Sequence, residues 1–165
     1  MVKVRIPATT ANLGPGFDCM GMALGLYNTV EMSEIEEGLE IYTEGKGSDI
    51  KQPKEENLVY VAAKRLFEKT GYSPKGIKIN MSSKIPLASG LGSSAACIVG
   101  GVMAANALSP NKLSDQEILE LAVDIEGHPD NVVPALLGGA VVSINCNKKI
   151  ENIKFTVSDE LNFIV

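Results

Sequence analysis

The chain has 165 residues, of which 45% are hydrophobic and 21% charged, and a formal net charge of −5. That length suits one domain with a sizeable core, and the acidic balance argues against a nucleic-acid or anionic-membrane surface. No apolar run reaches the roughly 18–20 residues of a membrane span, and the chain opens on an alternating strand pattern rather than a signal peptide, so a cytoplasmic protein with a small ligand is expected.

Residues 2–6 alternate as a strand, and residues 7–16 follow as a polar, glycine-punctuated loop too long for a simple hairpin. After a mixed apolar stretch at 17–27, residues 29–36 and 39–43 alternate about Glu37-Gly38, which predicts a hairpin. Asn57 can cap a helix running to about Thr70, because Leu58, Val61, Ala62, Leu66 and Phe67 share one face and Gly71 supplies the stop. A strand over 76–82 comes next.

The most informative segment is Pro86-Leu87-Ala88-Ser89-Gly90-Leu91-Gly92-Ser93-Ser94-Ala95-Ala96, a glycine-serine loop that runs into a small-residue helix over 93–108. Unpaired N–H groups at a helix N-terminus, added to the macrodipole, favour phosphate. Gly90 and Gly92 permit close backbone approach, and Ser93 and Ser94 offer hydroxyls to an oxyanion or a magnesium shell.

Ser109-Pro110 closes that helix, and Ser114-Asp115-Gln116-Glu117 is a capping box that opens another to about Glu126. A short loop, Gly127-His128-Pro129-Asp130-Asn131, precedes strands at 138–146 and 154–157. The apolar run at 161–165 stops without a terminal cap, so the chain is expected to be the N-terminal part of a longer protein or a truncated one. Cys19, Cys97 and Cys146 have no C-x-x-C spacing and are expected to be buried thiols with no redox role.

Several motifs compete for the phosphate loop. Gly90-x-Gly92-x-x-Ala95 satisfies the dinucleotide fingerprint in form, but Pro86 interrupts the approach and no second strand with its acid follows. Gly92-Ser93-Ser94-Ala95-Ala96 approaches a hydrolase elbow, with Ser94, Asp115 or Asp124, and His128 in hydrolase order, although the serine lacks an apolar strand to deliver it. The P-loop pattern fails for want of its lysine. A glycine turn that merely caps a helix is the bland alternative.

Three segments together resemble, in order and spacing, the signatures of the homoserine kinases within the GHMP small-molecule kinase superfamily. They are Pro7-Ala8-Thr9-Thr10-Ala11-Asn12-Leu13-Gly14-Pro15-Gly16-Phe17-Asp18, the loop from Pro86 to Ala96, and the segment from Gly127 to Asn131. The resemblance implies an α+β, two-layer fold like domain 2 of ribosomal protein S5 over residues 1–165, the ATP-binding N-terminal domain, with a ferredoxin-like second domain expected beyond Val165. It also implies phosphorylation of the side-chain hydroxyl of L-homoserine, on the route to threonine, with ATP and Mg²⁺, and is compatible with a homodimer.

By the same resemblance the loop from Pro86 to Ala96 wraps the ATP phosphates, Ser94 and Glu120 hold magnesium, and Asn57 lies by the adenine. Glu120 matches the family's glutamate in preference to Glu117 in the capping box or Glu126 at the helix end. Asn12, Asp18, His128 and Asn131 match the homoserine-contacting positions. Mevalonate kinase, a relative, uses an aspartate base where Asn131 aligns here; an amide cannot serve so, and Asn131 is expected to position the hydroxyl, with His128 as the competing base. The substrate carboxylate would ordinarily call for arginine, and Arg5 and Arg65 are not well placed.

Overall fold

The longest strand organises the computed structural model, which describes residues 1–14, 16, 18–147, 149–158 and 160. β1 (Val2–Thr10), β2 (Met20–Ile35), β3 (Gly38–Gly45), β4 (Gly76–Ser83), β5 (Ala140–Cys146) and β6 (Lys149–Phe155) form one sheet in the order β3-β4-β2-β5-β6, with β1 also on β2. β1 runs antiparallel along β2, leaving β4 and β5 to take successive stretches of it, 29–35 and 20–22. Among the described residues, four α-helices complete the fold: α1 (Leu58–Thr70), α2 (Ser93–Leu108), α3 (Asp115–Glu126) and α4 (Pro129–Leu137). Alternate residues of β2 and β4 are buried, so one sheet face carries the core beneath the helices and the other stays polar, with pairs such as Lys3–Glu31 at 2.9 Å. Among the described residues no helix is long and apolar enough to cross a membrane.

α2 lies at the centre. It is apolar all round, and Ala95, Ala96, Ile98, Val99, Val102, Ala104 and Ala105 are each at most 2% exposed. α1 begins as expected, with the Asn57 side chain accepting from the N–H groups of Val59 and Tyr60, and ends on Gly71 in the left-handed region. The Ser114–Glu117 capping box is formed in both directions and holds the Glu117 carboxyl below its usual range.

Five expectations are corrected. The predicted hairpin at 29–43 does not form: β4 lies between β2 and β3 and pairs parallel with β3, so α1 is the crossover of a βαβ unit. β1 does not stop at Ile6. It continues through Pro7 to Thr10 because a register shift after Pro7 lets β2 bulge where the ring supplies no N–H. Asn131 lies not in a loop but in the first turn of α4, which carries Pro134 inside it, and β6 begins at Lys149 rather than at Lys154. Of the cysteines, Cys146 is exposed and Cys19 and Cys97 are half-buried. The apolar run at 161–165 lies outside the described residues.

Candidate functional site

The start of β2, the far end of β1, the N-termini of α2 and α4 and the C-terminus of α3 meet at one end of the two layers. A cleft of about 510 Å³ opens there, lined by Ala11, Asn12, Asp18, every residue from Pro86 to Ser94, Cys97, Asp130 and Asn131. Buried Asn28 sets the loop's entry by accepting from the N–H groups of Lys84 at 2.7 Å and Ile85 at 3.0 Å. Gly90 and Gly92 take positive φ of 71° and 64°, and Ala88 shares that region at 51°. A Cβ on Gly92 would overlap Thr9 Oγ1.

The two helix N-termini are differently equipped. α4 carries Asp130, 8% exposed, in its first turn, whereas α2 opens on Gly92 with no acid in its first turn. No side chain among the described residues caps it. The N–H groups of Ser93, Ser94 and Ala95 thus open an anion-favouring helix end that has no acid of its own in the first turn. The loop's donors stop there, because Ala96 N–H already donates to Gly92 O at 2.9 Å. The side chains of Ala95 and Ala96 are buried in the core.

Ser94 Oγ donates to Glu126 Oε1 at 2.5 Å, which places a hydroxyl and a carboxylate side by side at the mouth of the α2 N-terminus. Glu120 is elsewhere. It accepts from Gln116 Nε2 at 2.8 Å and lines a surface hollow with Arg65, Lys69 and Asp124, about 9 Å down α3 from Glu126 at 1.5 Å per residue. Glu120 thus stands away from the loop, whereas Glu126, at the helix end, reaches it. Hard oxygens from one hydroxyl and one carboxylate suit Mg²⁺, which keeps most of its shell for phosphate and water.

Asn131 Oδ1 accepts from Thr9 Oγ1 at 2.8 Å, and Asn12 Nδ2 would lie 3.3 Å from a Cβ on Gly90. Asp18, with φ 59°, faces His128 Nδ1 at 4.0 Å, both side chains more than half exposed. The structure therefore brings Asn12, Asp18 and Asn131 to the cleft and stands His128 beside Asp18. Asn57 lines an adjoining cavity of about 310 Å³ with Ile41, Thr43, Ile50, Met81 and Leu87, although its side-chain oxygen is taken by capping α1. Both arginines are engaged away from the cleft, Arg5 over the Tyr27 ring at 3.5 Å and Arg65 with Asp124 at 2.8 Å.

Two other motif readings lose their geometry. Ser94 is inside α2, eleven residues past the end of β4, and bonds Glu126 rather than His128, so no hydrolase triad assembles. The mostly antiparallel sheet is not that of a dinucleotide-binding fold.

Known proteins resemble this chain in sequence and in fold. The family described as GHMP kinases N terminal domain matches residues 57–139. A homoserine kinase of Clostridium botulinum (strain ATCC 19397 / Type A) is 51% identical over 99% of this chain and 54% of its own length. Another, from Caldicellulosiruptor saccharolyticus, is 51% identical over 100% of this chain and 53% of its own. The crystal structure of homoserine kinase from Cytophaga hutchinsonii superposes with a TM-score of 0.76 at 37% identity, covering 95% of this chain and 52% of that one. The chain spans about half the length of the curated relatives it matches.

Proposed function

Because the chain belongs to the GHMP kinases and carries their N-terminal domain, we propose that its cleft binds ATP with Mg²⁺ and that the protein transfers the γ-phosphoryl group to the side-chain hydroxyl of L-homoserine, giving O-phospho-L-homoserine in the cytoplasm on the route to threonine. One observation carries the reading. The N-terminus of α2, which no described side chain caps, opens between a Ser94–Glu126 oxygen pair on one side and Asn12, Asp18 and Asn131 on the other. A triphosphate fits the first half, and a small amino acid with a hydroxyl fits the second.

Phosphoryl transfer asks mainly for positioning and charge neutralisation. The loop at 86–95 supplies backbone donors but no cation, so Ser94 and Glu126 would hold Mg²⁺, which supplies the missing positive charge at the phosphates. The adjoining cavity by Asn57, apolar at Ile41, Ile50 and Leu87, suits the adenine ring. Asp18 pairs with the substrate ammonium, His128 supports Asp18 from outside, and Asn131 holds the hydroxyl in line. The hydroxyl proton leaves to the transferred phosphoryl group or solvent, since Asn131 is no base and His128 faces Asp18. The substrate carboxylate is left to groups outside these 165 residues, both arginines here being engaged.

The test is ADP release by the full-length protein. L-homoserine should support turnover at least 100-fold above mevalonate, and a preference for mevalonate would overturn the assignment. Ser94→Ala and Glu126→Gln should each raise the Mg²⁺ concentration for half-maximal rate about tenfold or more, while Glu120→Gln leaves it unchanged.

A further inference from the structure

Thr9, next to last in β1, is wholly buried, and its hydroxyl crosses 122 positions of sequence to donate to Asn131 Oδ1 at 2.8 Å. Its backbone N–H donates to Leu91 O at 3.1 Å, and Gly92 packs directly on its Oγ1. One residue thus touches both the phosphate loop and the amide that faces the acceptor.

On the other side of that amide sits Asp130, whose Oδ1 accepts from the Asn131 backbone N–H at 2.7 Å and from Asn131 Nδ2 at 3.3 Å. An oxygen already accepting a backbone N–H requires nitrogen on the amide edge turned toward it. The amide oxygen must then face Thr9, and the Thr9 hydroxyl must donate. Two neighbours with fixed hydrogen-bonding sense remove the freedom of an amide to flip, which otherwise depends on its network. Asn131 is left with one N–H and one oxygen lone pair for the cleft, in a set order; a flip would exchange donor and acceptor under the substrate hydroxyl.

We propose that Thr9 and Asp130 are positioning residues that lock the Asn131 amide in one orientation, and that Thr9 ties this orientation to the phosphate loop through Leu91 and Gly92. The proposal rests on the reading of Asn131 as the residue that holds the acceptor hydroxyl. Thr9 acts on substrate through Asn131, and Asp130 likewise; neither takes part in the transfer itself.

A double-mutant cycle in the full-length enzyme tests this. Thr9→Val, nearly equal in volume but without the hydroxyl, should lower kcat tenfold or more while KM for MgATP stays within threefold. Thr9→Ser, which keeps the donor, should stay within threefold of wild type. In an Asn131→Ala background, Thr9→Val should cost less than twofold more, because no amide remains to orient. If Thr9→Val costs the same factor with and without the Asn131 amide, Thr9 only supports the loop and the proposal is overturned. If Asn131→Ala is impaired while Thr9→Val equals wild type, the proposal alone fails. If Asn131→Ala leaves kcat and KM for L-homoserine unchanged, the acceptor reading fails and takes the proposal with it. Should Thr9→Val not fold, the same cycle run with Asp130→Asn decides the matter, since that amide can turn a donor toward Asn131 and should show the same loss of kcat and the same non-additivity.

Discussion

Cys97 stands one turn along α2 from Ser94, half-buried where the phosphate cleft meets the cavity beside Asn57. Burial, with the Glu126 charge adding to it, pushes its thiol from the ordinary 9.0 up to about 11. The folded chain holds that proton longer than the unfolded one, so the contribution to stability is complete below pH 9 and is lost as pH rises through 11. Iodoacetamide at pH 8 should therefore modify exposed Cys146 at least 100-fold faster than Cys97, read by mass spectrometry of the two peptides; comparable rates would show that the thiol is not shielded. The same neighbourhood explains which site residues could be read without a structure. Ser94, Asn12, Asp18 and Asn131 belong to short motifs that can be recognised in the sequence segment by segment. The carboxylate beside Ser94 depends on where α3 ends relative to α2, a tertiary quantity. A capping box marks the start of α3 in the sequence, and counting from Ser114 to Gly127 identifies Glu126 as the last helical residue, but nothing local says that this end abuts Ser94.

At the level of elements, α2 is packed closely enough that two adjacent glycines have different tolerances. A Cβ on Gly101 would overlap the carbonyl oxygen of Val59 in α1 and lie 3.0 Å from Ala62 Cβ, whereas one on Gly100 would meet only side-chain ends, Ile6 Cδ1 and Val30 Cγ2, each at 2.9 Å. Backbone cannot yield as a methyl group can. Gly101→Ala should destabilise the protein by about 1–3 kcal/mol through overpacking. Gly100→Ala should cost less, because the roughly 1 kcal/mol gained in helix propensity offsets a contact that rotamers can relieve. Urea midpoints with unchanged slope would measure both, and equal losses would contradict the close α1–α2 approach. Helices were legible because their caps and periodicity are local: Asn57, Gly71, Ser114 and Glu117 all behave as their sequence context implies. Sheet order was not. Alternation at 29–36 and 39–43 shows two strands but not that β4, reached through α1, is inserted between them. α4 went unread because His128-Pro129 looks like a break, when proline is well tolerated in the first turn of a helix.

Across the whole molecule, segments separated by the full span of β2, α1, α2 and α3 converge on one end of the layers, and their electrostatics divide the work there. α4 balances its own N-terminus with Asp130, while α2, the longer helix at 16 residues against 9, has no acid in its first turn and leaves its N-terminus to the cleft. That asymmetry predicts two effects of opposite sign from one substitution. Ser93→Asp places a carboxylate in the first turn of α2, which should stabilise the free protein by about 0.3–1 kcal/mol through the helix dipole. The same carboxylate occupies the position where phosphate charge must sit, so nucleotide binding should collapse. For the wild type, MgATP at about 100 times its Kd should add about 2.7 kcal/mol to stability, a rise of roughly 5–10 °C in Tm for a protein of this size. In Ser93→Asp the Tm without nucleotide should equal or exceed that of wild type, and the MgATP-dependent rise should disappear. A general packing defect would lower both values, and a phosphate site elsewhere would leave the MgATP-dependent rise intact. Only an anion site at the uncapped end of α2 makes the free protein stabler and the liganded protein weaker through the same charge.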